Sequence, residues 1–374
     1  MTSRARRARA AADRLARELE QRGFGGWDPY DALSSPVLRS VARTSLLRRA
    51  AIQSLKRAPL NVRVVLRVPK RRHTKALALL TSAYVRLGRH DLARTLRDLL
   101  LERRLSDGGW GYDFDVQTRW GFYCAGQANA VVTAFAAHAL LDALSIEESG
   151  EARAAVEESL DFAQRELLVS QGDESFFAYF AGGDVPIHNA NLLVASVFGR
   201  ASDGSRRETA RPAIRYTLKR QRPDGTWPYG ERPGLEWVDG FHTAYVLERL
   251  ADWHGGERDA SLAVAIERGT DEYVNRLIDP DGAPRATLER RWPVDVHAAS
   301  SAITALMRLQ EFHARARQTA DDVLDWTLTN MVRPDGRFSF QRHRRWTNRT
   351  PYVRWNDAHM LLALANYSFA AEAL

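Results

Sequence analysis

Apolar segments with helical spacing recur along the last two thirds of the chain. The most apolar of them begins near Gln127 and continues to Leu144, with Ala, Val and Leu at most positions. It is too polar at its start and too rich in small residues for a transmembrane span, so the pattern predicts a helix buried among other helices. Four more apolar stretches follow, each leading into a more amphipathic helix: 192–198, 244–250, 298–309 and 360–367.

A tight turn repeats between these helices. Four Asp-Gly pairs carry it, at 107–108, 224–225, 281–282 and 335–336. The last three pairs are 57 and 54 residues apart, and the longer first interval leaves room for a degenerate copy at 172–177. An aromatic residue follows three of the pairs, as Trp110, Trp227 and Phe338. Since glycine accepts the left-handed backbone of such turns, the repeat predicts equivalent loops between equivalent helix pairs.

A second motif marks the starts of the apolar helices. In each copy an Asp precedes a His by two to four residues: Asp184 and His188, Asp239 and His242, Asp295 and His297, Asp357 and His359. Successive histidines of this series are 54, 55 and 62 residues apart. Aspartate is a favoured N-cap residue, so the motif is consistent with helix capping as well as with chemistry at the helix ends.

A period of this length with two helices per unit predicts a helical repeat protein, because such units bury their apolar faces only by stacking. The stack is either an open solenoid or a closed ring. Because the His-bearing helices are the most apolar, we expect them inside a ring. We therefore predict an all-α fold with very little strand, a (α/α)6-type toroid of antiparallel helix hairpins forming one domain over 1–374. Its expected additions are a basic N-terminal helix over 1–22 and a cap region over 23–104.

The positive charge is concentrated at one end of the chain. Lys and Arg number 54 and Asp and Glu 46 in total, yet residues 1–75 hold 19 basic against 5 acidic side chains. A basic end favours an anionic partner, although arginines on a solvated face explain it equally well. We expect an anionic oligosaccharide or lipid-linked glycan, with membrane-surface contact through the basic N-terminal region. Nucleic acid is not expected, because no zinc-finger spacing, RNP motif or basic zipper occurs.

The N-terminal 20 residues lack the apolar core of a signal peptide and have the pattern of a basic amphipathic helix. The single cysteine, Cys124, excludes a disulfide within the chain. We therefore expect a cytoplasmic protein, peripheral at the inner membrane face. No nucleotide-binding glycine loop, GxSxG elbow or HExxH spacing occurs, and we expect neither a cofactor nor a metal, although four His and several Asp leave a metal open as an alternative.

Several segments resemble known families. The turns DGGWGYDF, PDGTWPYGE and PDGRFSFQ resemble the repeats of prenyltransferases and squalene cyclases, which are (α/α) barrels. The segments GWDPYDALSSP, WGYDF, QANA, IHNAN and WPVDVHAAS resemble VpsJ-type polysaccharide-biosynthesis proteins over most of the chain. Residues 120–144 and 176–200 are more loosely similar to the barrel of glucuronyl C5-epimerases. The last two of these resemblances imply work on a cell-surface glycan or its lipid-linked precursor.

Groups able to move protons cluster in these motifs. Imidazole titrates near neutral pH, and tyrosine or carboxylate can also take or give a proton. The competing structural interpretation is that each Asp caps a helix and each His satisfies nearby backbone. The candidate catalytic residues are Tyr112, Tyr123, His188, His242, Asp295 and His297.

Other residue types in the same segments suit sugar binding. Aromatic faces stack on sugar rings, Arg matches a carboxylate or phosphate, and Asn or Gln bonds hydroxyls. Inter-repeat packing also accounts for the aromatics, and is the favoured interpretation for Trp110 and Trp227. The candidate substrate-binding residues are Trp110, Arg119, Trp120, Gln127, Asn129, Tyr179, Asn189, Tyr229, Arg291, Trp292, Arg354, Asn356, Asp357 and His359.

The favoured reaction is C5 epimerisation of a uronic acid within a glycan. It needs proton transfer on both faces of C5 and a cation beside the adjacent carboxylate, for which Arg119, Arg291 and Arg354 are candidates. A lyase or glycosidase on the same scaffold remains open, since Asp113, Glu231, Asp239 and Asp295 could supply paired carboxylates. The sequence is also compatible with a prenyltransferase-like or terpene cyclase-like enzyme and with a non-catalytic glycan-binding protein.

Overall fold

The computed structural model describes residues 2–119, 121–201 and 204–372, and this part of the chain is mostly helical. Six helices form an inner ring: α4 (Thr74–Arg86), α6 (Ala130–Leu144), α8 (His188–Ala201), α10 (Gly240–Glu257), α12 (Val296–Arg308) and α14 (His359–Glu372). Six more pack outside them: α5 (His90–Leu101), α7 (Gly150–Phe162), α9 (Gly204–Lys219), α11 (Ala260–Glu272), α13 (Ala316–Asn330) and α1 (Ser3–Gln21). Each inner helix packs against two inner neighbours, and α14 packs against α4. The ring is therefore closed, and the predicted all-α (α/α)6 toroid is confirmed.

The first helix completes the last pair of the ring. α1 packs on α14 as its outer helix and also contacts α13. Six of its alanines and leucines, among them Ala8 and Leu15, are buried. On its other side Arg4 and Arg7 each lie 2.8 Å from Asp325 of α13. The apolar stripe of this helix is therefore occupied by the toroid and cannot insert into a membrane.

Residues 23–73 form a small cap on the toroid. It contains α2 (Pro36–Val41) and α3 (Ser45–Arg57), which share a minor core that includes Leu33 and Ile52. The expected cap of 23–104 is longer than this, because α4 and α5 are a regular inner and outer pair. No Asp-Gly turn and no Asp-His motif of the repeat series precedes α4, so the sequence pattern did not assign this pair to the ring.

A buried arginine holds the cap in place. The Arg63 guanidinium donates to the Asp31 carboxylate at 2.8 Å, to the Tyr352 hydroxyl at 2.8 Å and to the Asp28 carbonyl at 3.0 Å. These partners satisfy a charge that is removed from water. Because Tyr352 is one of them, the arrangement also joins the cap to the chain segment before α14.

The repeated turns have the geometry that their sequence predicts. The glycines of all four Asp-Gly pairs have φ between 84° and 92°. The indoles of Trp110 and Trp227 each donate at 2.9 Å to a carbonyl near the end of the preceding outer helix, those of Leu100 and Thr217. Both tryptophans therefore have a packing role between repeats. The candidate degenerate copy at 172–177 is instead a hairpin with Gly172 in its turn.

The strands are short and lie in loops between the helix pairs. β1 pairs with β2, β3 with β4, and β6 with both β5 and β7, all antiparallel. Their bounds are β1 (Val116–Gln117), β2 (Phe122–Tyr123), β3 (Leu168–Gln171), β4 (Glu174–Phe177), β5 (Val294–Asp295), β6 (Gln341–Arg342) and β7 (Thr347–Asn348). Of the helices described, none has the length and apolarity needed to cross a bilayer.

The turn glycines should be intolerant of side chains. Gly282 has φ +86°, and a Cβ placed on it would lie 2.3 Å from the Asp322 carbonyl oxygen of α13. We expect Gly282→Ala to lower the free energy of unfolding by about 2–3 kcal/mol, since it combines left-handed strain with a backbone clash. Denaturant unfolding measures this. Gly150→Ala is the control, because no atom lies within 4 Å of that Cβ position; equal stability of the two variants would contradict the prediction.

Candidate functional site

The starts of the inner helices surround one cavity of about 610 Å³. Its lining includes Lys75 of α4, Val131 of α6, Asn189 of α8, His242 of α10 and His297 of α12. The N-terminal end of a helix carries partial positive charge. Several such ends around one mouth favour a ligand with negative charge.

Two histidine rings, one of which lines this cavity, meet edge to face. The rings of His297 and His359 have centroids 3.9 Å apart, and His297 lines the cavity while His359 lies behind it. The Tyr245 hydroxyl is 2.9 Å from Nε2 of His297. Among the described residues, Nδ1 of His297 and Nε2 of His359 are buried without a hydrogen-bond partner. Burial lowers the pKa of both rings well below the usual histidine value, which leaves them neutral and able to accept a proton.

A buried lysine that sequence reasoning missed lies in the same cavity. Lys75 is 4% exposed, and its Nζ lies 4.0 Å from the Phe135 ring centroid and 5.6 Å from that of Tyr245. Burial, and then the nearby Arg354, lower its pKa well below the usual lysine value. A neutral amine can act as a base, and it regains a proton when an anion binds beside it. The available signal was a single lysine within the apolar run TKALALLTSAY.

Arg354 lies in the cavity wall, paired with a carboxylate from the cap. Its Nε and Nη2 donate to the two Asp28 oxygens at 2.5 and 2.8 Å, and both side chains are buried. Burial alone would raise the pKa of Asp28, but Arg354 outweighs it and the pKa is lowered. The guanidinium also lies 5.4 Å from the Tyr112 ring centroid. The available signal was the position of Asp28 in the turn-rich segment GWDPYDALSSP.

His242 is held by the aspartate that begins its helix. Asp239 accepts hydrogen bonds from the His242 backbone at 3.0 Å and from the Trp237 indole at 3.0 Å. Asp239 also contacts the His242 ring, with Oδ2 of Asp239 2.6 Å from Nδ1 of His242. Burial would raise the pKa of Asp239, but His242 outweighs it and lowers that pKa. The same aspartate therefore caps α10 and orients an imidazole that lines the cavity.

Tyrosines form much of the rim. The Tyr112 and Tyr179 hydroxyls are 2.8 Å apart, and burial is the main cause that raises the pKa of each. Tyr123 stacks on Phe180 with ring centroids 4.0 Å apart, and Tyr229 stacks on Trp237 at 4.6 Å. Because their phenols stay protonated, Tyr112 and Tyr179 are suited to donating hydrogen bonds rather than to removing protons. Nine of the predicted site residues line the cavity: Tyr112, Tyr123, Gln127, Tyr179, Asn189, Tyr229, His242, His297 and Arg354.

Other predicted residues stabilise the walls instead. His188 is buried, 3.3 Å from both Thr217 and Glu231. Asp295 caps α12 and accepts the Trp355 indole at 2.9 Å. These interactions hold His188 and Asp295 within the walls, and neither residue lines the cavity. The catalytic roles assigned to His188 and Asp295 are not supported by direct access to the cavity.

Three further polar candidates are buried at helix starts. Asn129 caps α6 through the Val132 amide at 3.0 Å. Asn356 donates to the carbonyls of Phe338 and Thr350 at 2.9 and 3.0 Å. Asp357 pairs with the Arg337 guanidinium at 2.8 Å. None of the three lines the cavity, because each satisfies backbone or charge within the repeat.

The remaining candidates lie in loops. Arg291 forms ion pairs with Asp279 and Asp281 and packs over Trp292, so its charge is already matched away from the cavity. Arg119 is exposed in the turn between β1 and β2. Trp120 lies outside the described residues. In the parts of the chain that the structure covers, no group of three or more His, Cys, Asp or Glu side chains could hold a metal ion.

The comparisons with known proteins concern the fold. The sequence matches no family model and no curated protein. Its structure is similar to cellobiose 2-epimerase from Bacillus thermoamylovorans B4167, with a TM-score of 0.61, 11% identity and coverage of 78% of this chain and 86% of that one. It is also similar to an unsaturated glucuronyl hydrolase specific for heparin, with a TM-score of 0.62, 13% identity and coverage of 80% and 86%.

A D-mannose isomerase is a further structural neighbour, with a TM-score of 0.61, 10% identity and coverage of 81% of this chain and 88% of that one. The chain thus has the (α/α) toroid that carbohydrate epimerases, hydrolases and isomerases also use, with a cavity of titratable side chains at the N-terminal ends of its inner helices.

Proposed function

We propose that this protein is an epimerase that acts at C5 of a uronic acid within a glycan. It would remove the C5 proton from one face and return a proton to the opposite face. The observation that carries the proposal is the pairing, in one cavity, of a neutral buried histidine with a second histidine held by a carboxylate. These are His297 and His242, and Phe241 lies between them, with ring centroids 4.8 and 3.9 Å from theirs. Two such groups can serve the two faces of one carbon.

In the proposed reaction, the imidazole of His297, which lines the cavity, removes the C5 proton. The Tyr245 hydroxyl at Nε2 fixes the ring during this step. His242, held by Asp239, delivers a proton to the opposite face. The same two groups exchange roles in the reverse direction, so no cofactor is required.

The intermediate carries the charge of a carboxylate and of a carbanion, and the cavity contains groups that can stabilise it. Arg354 uses Nε and Nη2 for Asp28, which leaves Nη1 for a substrate oxygen. Lys75 becomes protonated when a carboxylate binds near it, since an adjacent negative charge opposes the effect of burial. Both cations lie at helix starts, whose partial positive charge acts in the same direction.

A glycosidase needs two carboxylates across the scissile bond. Asp184 is the only carboxylate among the described residues that line the cavity, and it pairs with Arg232 at 3.1 Å. Of the other candidates, Asp113 pairs with Arg103, and Glu231 pairs with His188 and Arg220. This distribution supports proton transfer over hydrolysis.

The substrate class rests on the aromatic rim and on the neighbours. Tyr123 and Trp237 present rings on which sugars stack. Several structural neighbours are named for oligosaccharides, among them cellobiose and heparin. The resemblance to VpsJ-type proteins supports a place in the synthesis of a cell-surface or lipid-linked polysaccharide.

A second candidate is epimerisation at C2 of a reducing-end sugar. The full occupation of both Asp28 oxygens by Arg354 favours it, because that pair leaves less positive charge for a substrate carboxylate. Cellobiose 2-epimerases among the neighbours support the same chemistry.

The reaction is tested by incubating the protein in deuterated water with uronic acid-containing oligosaccharides and with neutral disaccharides. Deuterium at C5 of the uronate without chain cleavage is the expected result, and mass spectrometry with NMR locates it. Deuterium at C2 would support the second candidate. Cleavage with a new reducing end, or no exchange on any sugar tried, would overturn both.

His297→Gln should reduce deuterium exchange by roughly 10²–10⁴-fold, the usual contribution of a positioned base. His90→Gln is the matched control, since His90 is exposed at the start of α5. Exchange rates compared at equal amounts of folded protein measure the effect. Equal rates for His297→Gln and the wild type would contradict the assigned role.

Replacing Lys75 should stabilise the protein at neutral pH. Its folded pKa lies well below its unfolded value, so the unfolded state binds more protons, and the wild type gains stability as pH rises toward 10.5. Lys75→Met removes this dependence, which amounts to at most about 1.4 kcal/mol per pH unit. We expect the variant to be more stable at pH 7, with an advantage that shrinks toward pH 10.

Denaturant unfolding at several pH values measures the difference, with the exposed Lys70→Met as the control. Parallel pH profiles for Lys75→Met and the wild type would show that Lys75 is charged in the folded state.

A further inference from the structure

The exposed side of the cap is unusually basic. Residues 36–72 contain eleven Lys and Arg and no Asp or Glu. Several of these side chains are exposed, among them Arg39, Arg43 and Arg57. Because the segment contains no acidic side chain, its positive charge is not neutralised from within. We call the exposed residues of 36–72 the cap surface.

The cap surface is also apolar. Of the fourteen exposed large hydrophobic side chains among the described residues, eight belong to this short segment. Four lie on α2 and at the start of α3: Val37, Val41, Leu46 and Leu47. Four follow α3, and they are between 37% and 79% exposed: Leu60, Val62, Val64 and Val65. Soluble surfaces rarely concentrate aliphatic side chains in this way without a partner.

A hydrogen bond joins the two groups of aliphatic side chains. The Ser35 hydroxyl, which caps α2, donates to the Leu66 carbonyl at 2.5 Å. This contact connects the start of α2 with the turn over 62–67, so both groups belong to one subdomain. The minor core of the cap is separate and includes Leu55 and Val68.

We propose that the cap surface binds an anionic lipid bilayer. Aliphatic side chains can enter the boundary between headgroups and acyl chains, while Arg and Lys extend to lipid phosphates. A nucleic acid offers charge but no partner for eight aliphatic groups. Protein interfaces are enriched in aromatic residues and Met, and residues 36–72 contain none of these. The combination of both features favours a bilayer.

The bilayer would lie beside the cavity mouth. Lys56 of α3 donates to the Tyr30 hydroxyl at 2.6 Å, and Tyr30 lines the cavity. Arg48 donates to Gln117 at 2.9 Å and lies 4.6 Å from the centroid of the Phe122 ring at the rim. If the proposed glycan epimerase function holds, the membrane-bound protein faces glycans whose lipid anchor stays in the bilayer.

The cap surface lies within the basic N-terminal region for which membrane contact was predicted. The apolar residues of the helix α1, which belongs to the same region, are buried in the toroid. The cap surface contains seven of the 19 basic residues of 1–75, since Arg48, Arg49, Lys56 and Arg63 of 36–72 are not exposed, and it contains none of the acidic ones. It is therefore the part of the basic N-terminal region that remains available to a membrane.

The test is cosedimentation of the full chain with vesicles of phosphatidylcholine, with or without phosphatidylglycerol, in the absence of any sugar. Binding to the anionic vesicles alone is expected. Since each basic residue near the surface contributes about 1 kcal/mol, the triple variant Arg39→Gln, Arg43→Gln and Arg57→Gln should bind roughly one hundredfold more weakly. The triple variant Leu46→Ser, Val64→Ser and Val65→Ser should also bind more weakly, including at high salt.

Two controls separate the surface from net charge and from hydrophobicity in general. Arg153→Gln, Arg165→Gln and Arg290→Gln remove three exposed arginines elsewhere, and Val264→Ser removes an exposed valine of α11. Both control variants should bind like the wild type, and circular dichroism confirms that all variants fold. Equal weakening by the arginine control, or no binding to anionic vesicles, would overturn the proposal. The proposal would also be overturned if the triple serine variant bound vesicles like the wild type and changed only the self-association of the protein.

Because no sugar is present, the vesicle test does not depend on the proposed reaction. Vesicle binding without deuterium exchange would retain the membrane surface and reject the epimerase. Exchange without vesicle binding would do the opposite.

Discussion

The closed ring is the constraint on which the rest of the structure depends. An inner helix such as α6 is apolar on nearly every side, with 12 of its 15 residues buried, so it is stable only when neighbours surround it. The packing of α14 on α4 supplies the last neighbour, and α1 covers α14 from outside. The ends of the described chain therefore meet, and the cavity exists because every inner helix begins at the same end.

Closure also places charge at the mouth. The cap joins the segment before α14 through Arg63 with Tyr352 and through Asp28 with Arg354, contacts between residues 289 and 326 positions apart in the chain. Removing one member of such a buried pair leaves an unmatched charge, which is strongly destabilising. The cap is thus a structural part of the cavity wall, and the cavity's electrostatics depend on its docking.

Burial then divides similar side chains into different chemical states. His297 and His359 lose access to water and become neutral bases, whereas His242 remains partly exposed and is held by Asp239. Lys75 lies among Phe135 and Tyr245, and burial lowers its pKa well below the usual lysine value. A cavity with neutral bases and a lysine that regains its proton beside an anion is suited to proton transfer next to a carboxylate. The proposed function follows from this contrast.

The sequence by itself determined the fold class and the repeat. Asp-Gly turns, Asp N-caps and apolar helix starts are local features, because glycine conformation and helix capping depend on a few neighbouring residues. They identified His242 and His297 at the starts of α10 and α12. The same features also suggested His188, Asn356 and Asp357 for the site. In those repeats the motif has a structural role, which the local sequence does not distinguish from a role in the cavity.

Only the tertiary structure decided which of these residues reach the cavity. Lys75 and Asp28 come from segments without the repeated motifs, and their importance arises from contacts with Phe135 and Arg354 far along the chain. α1 has the pattern of a basic amphipathic helix, yet the ring requires its apolar face, and most of the exposed aliphatic side chains among the described residues belong to the cap instead. Burial and long-range pairing set these outcomes, and neither is a property of a local sequence pattern.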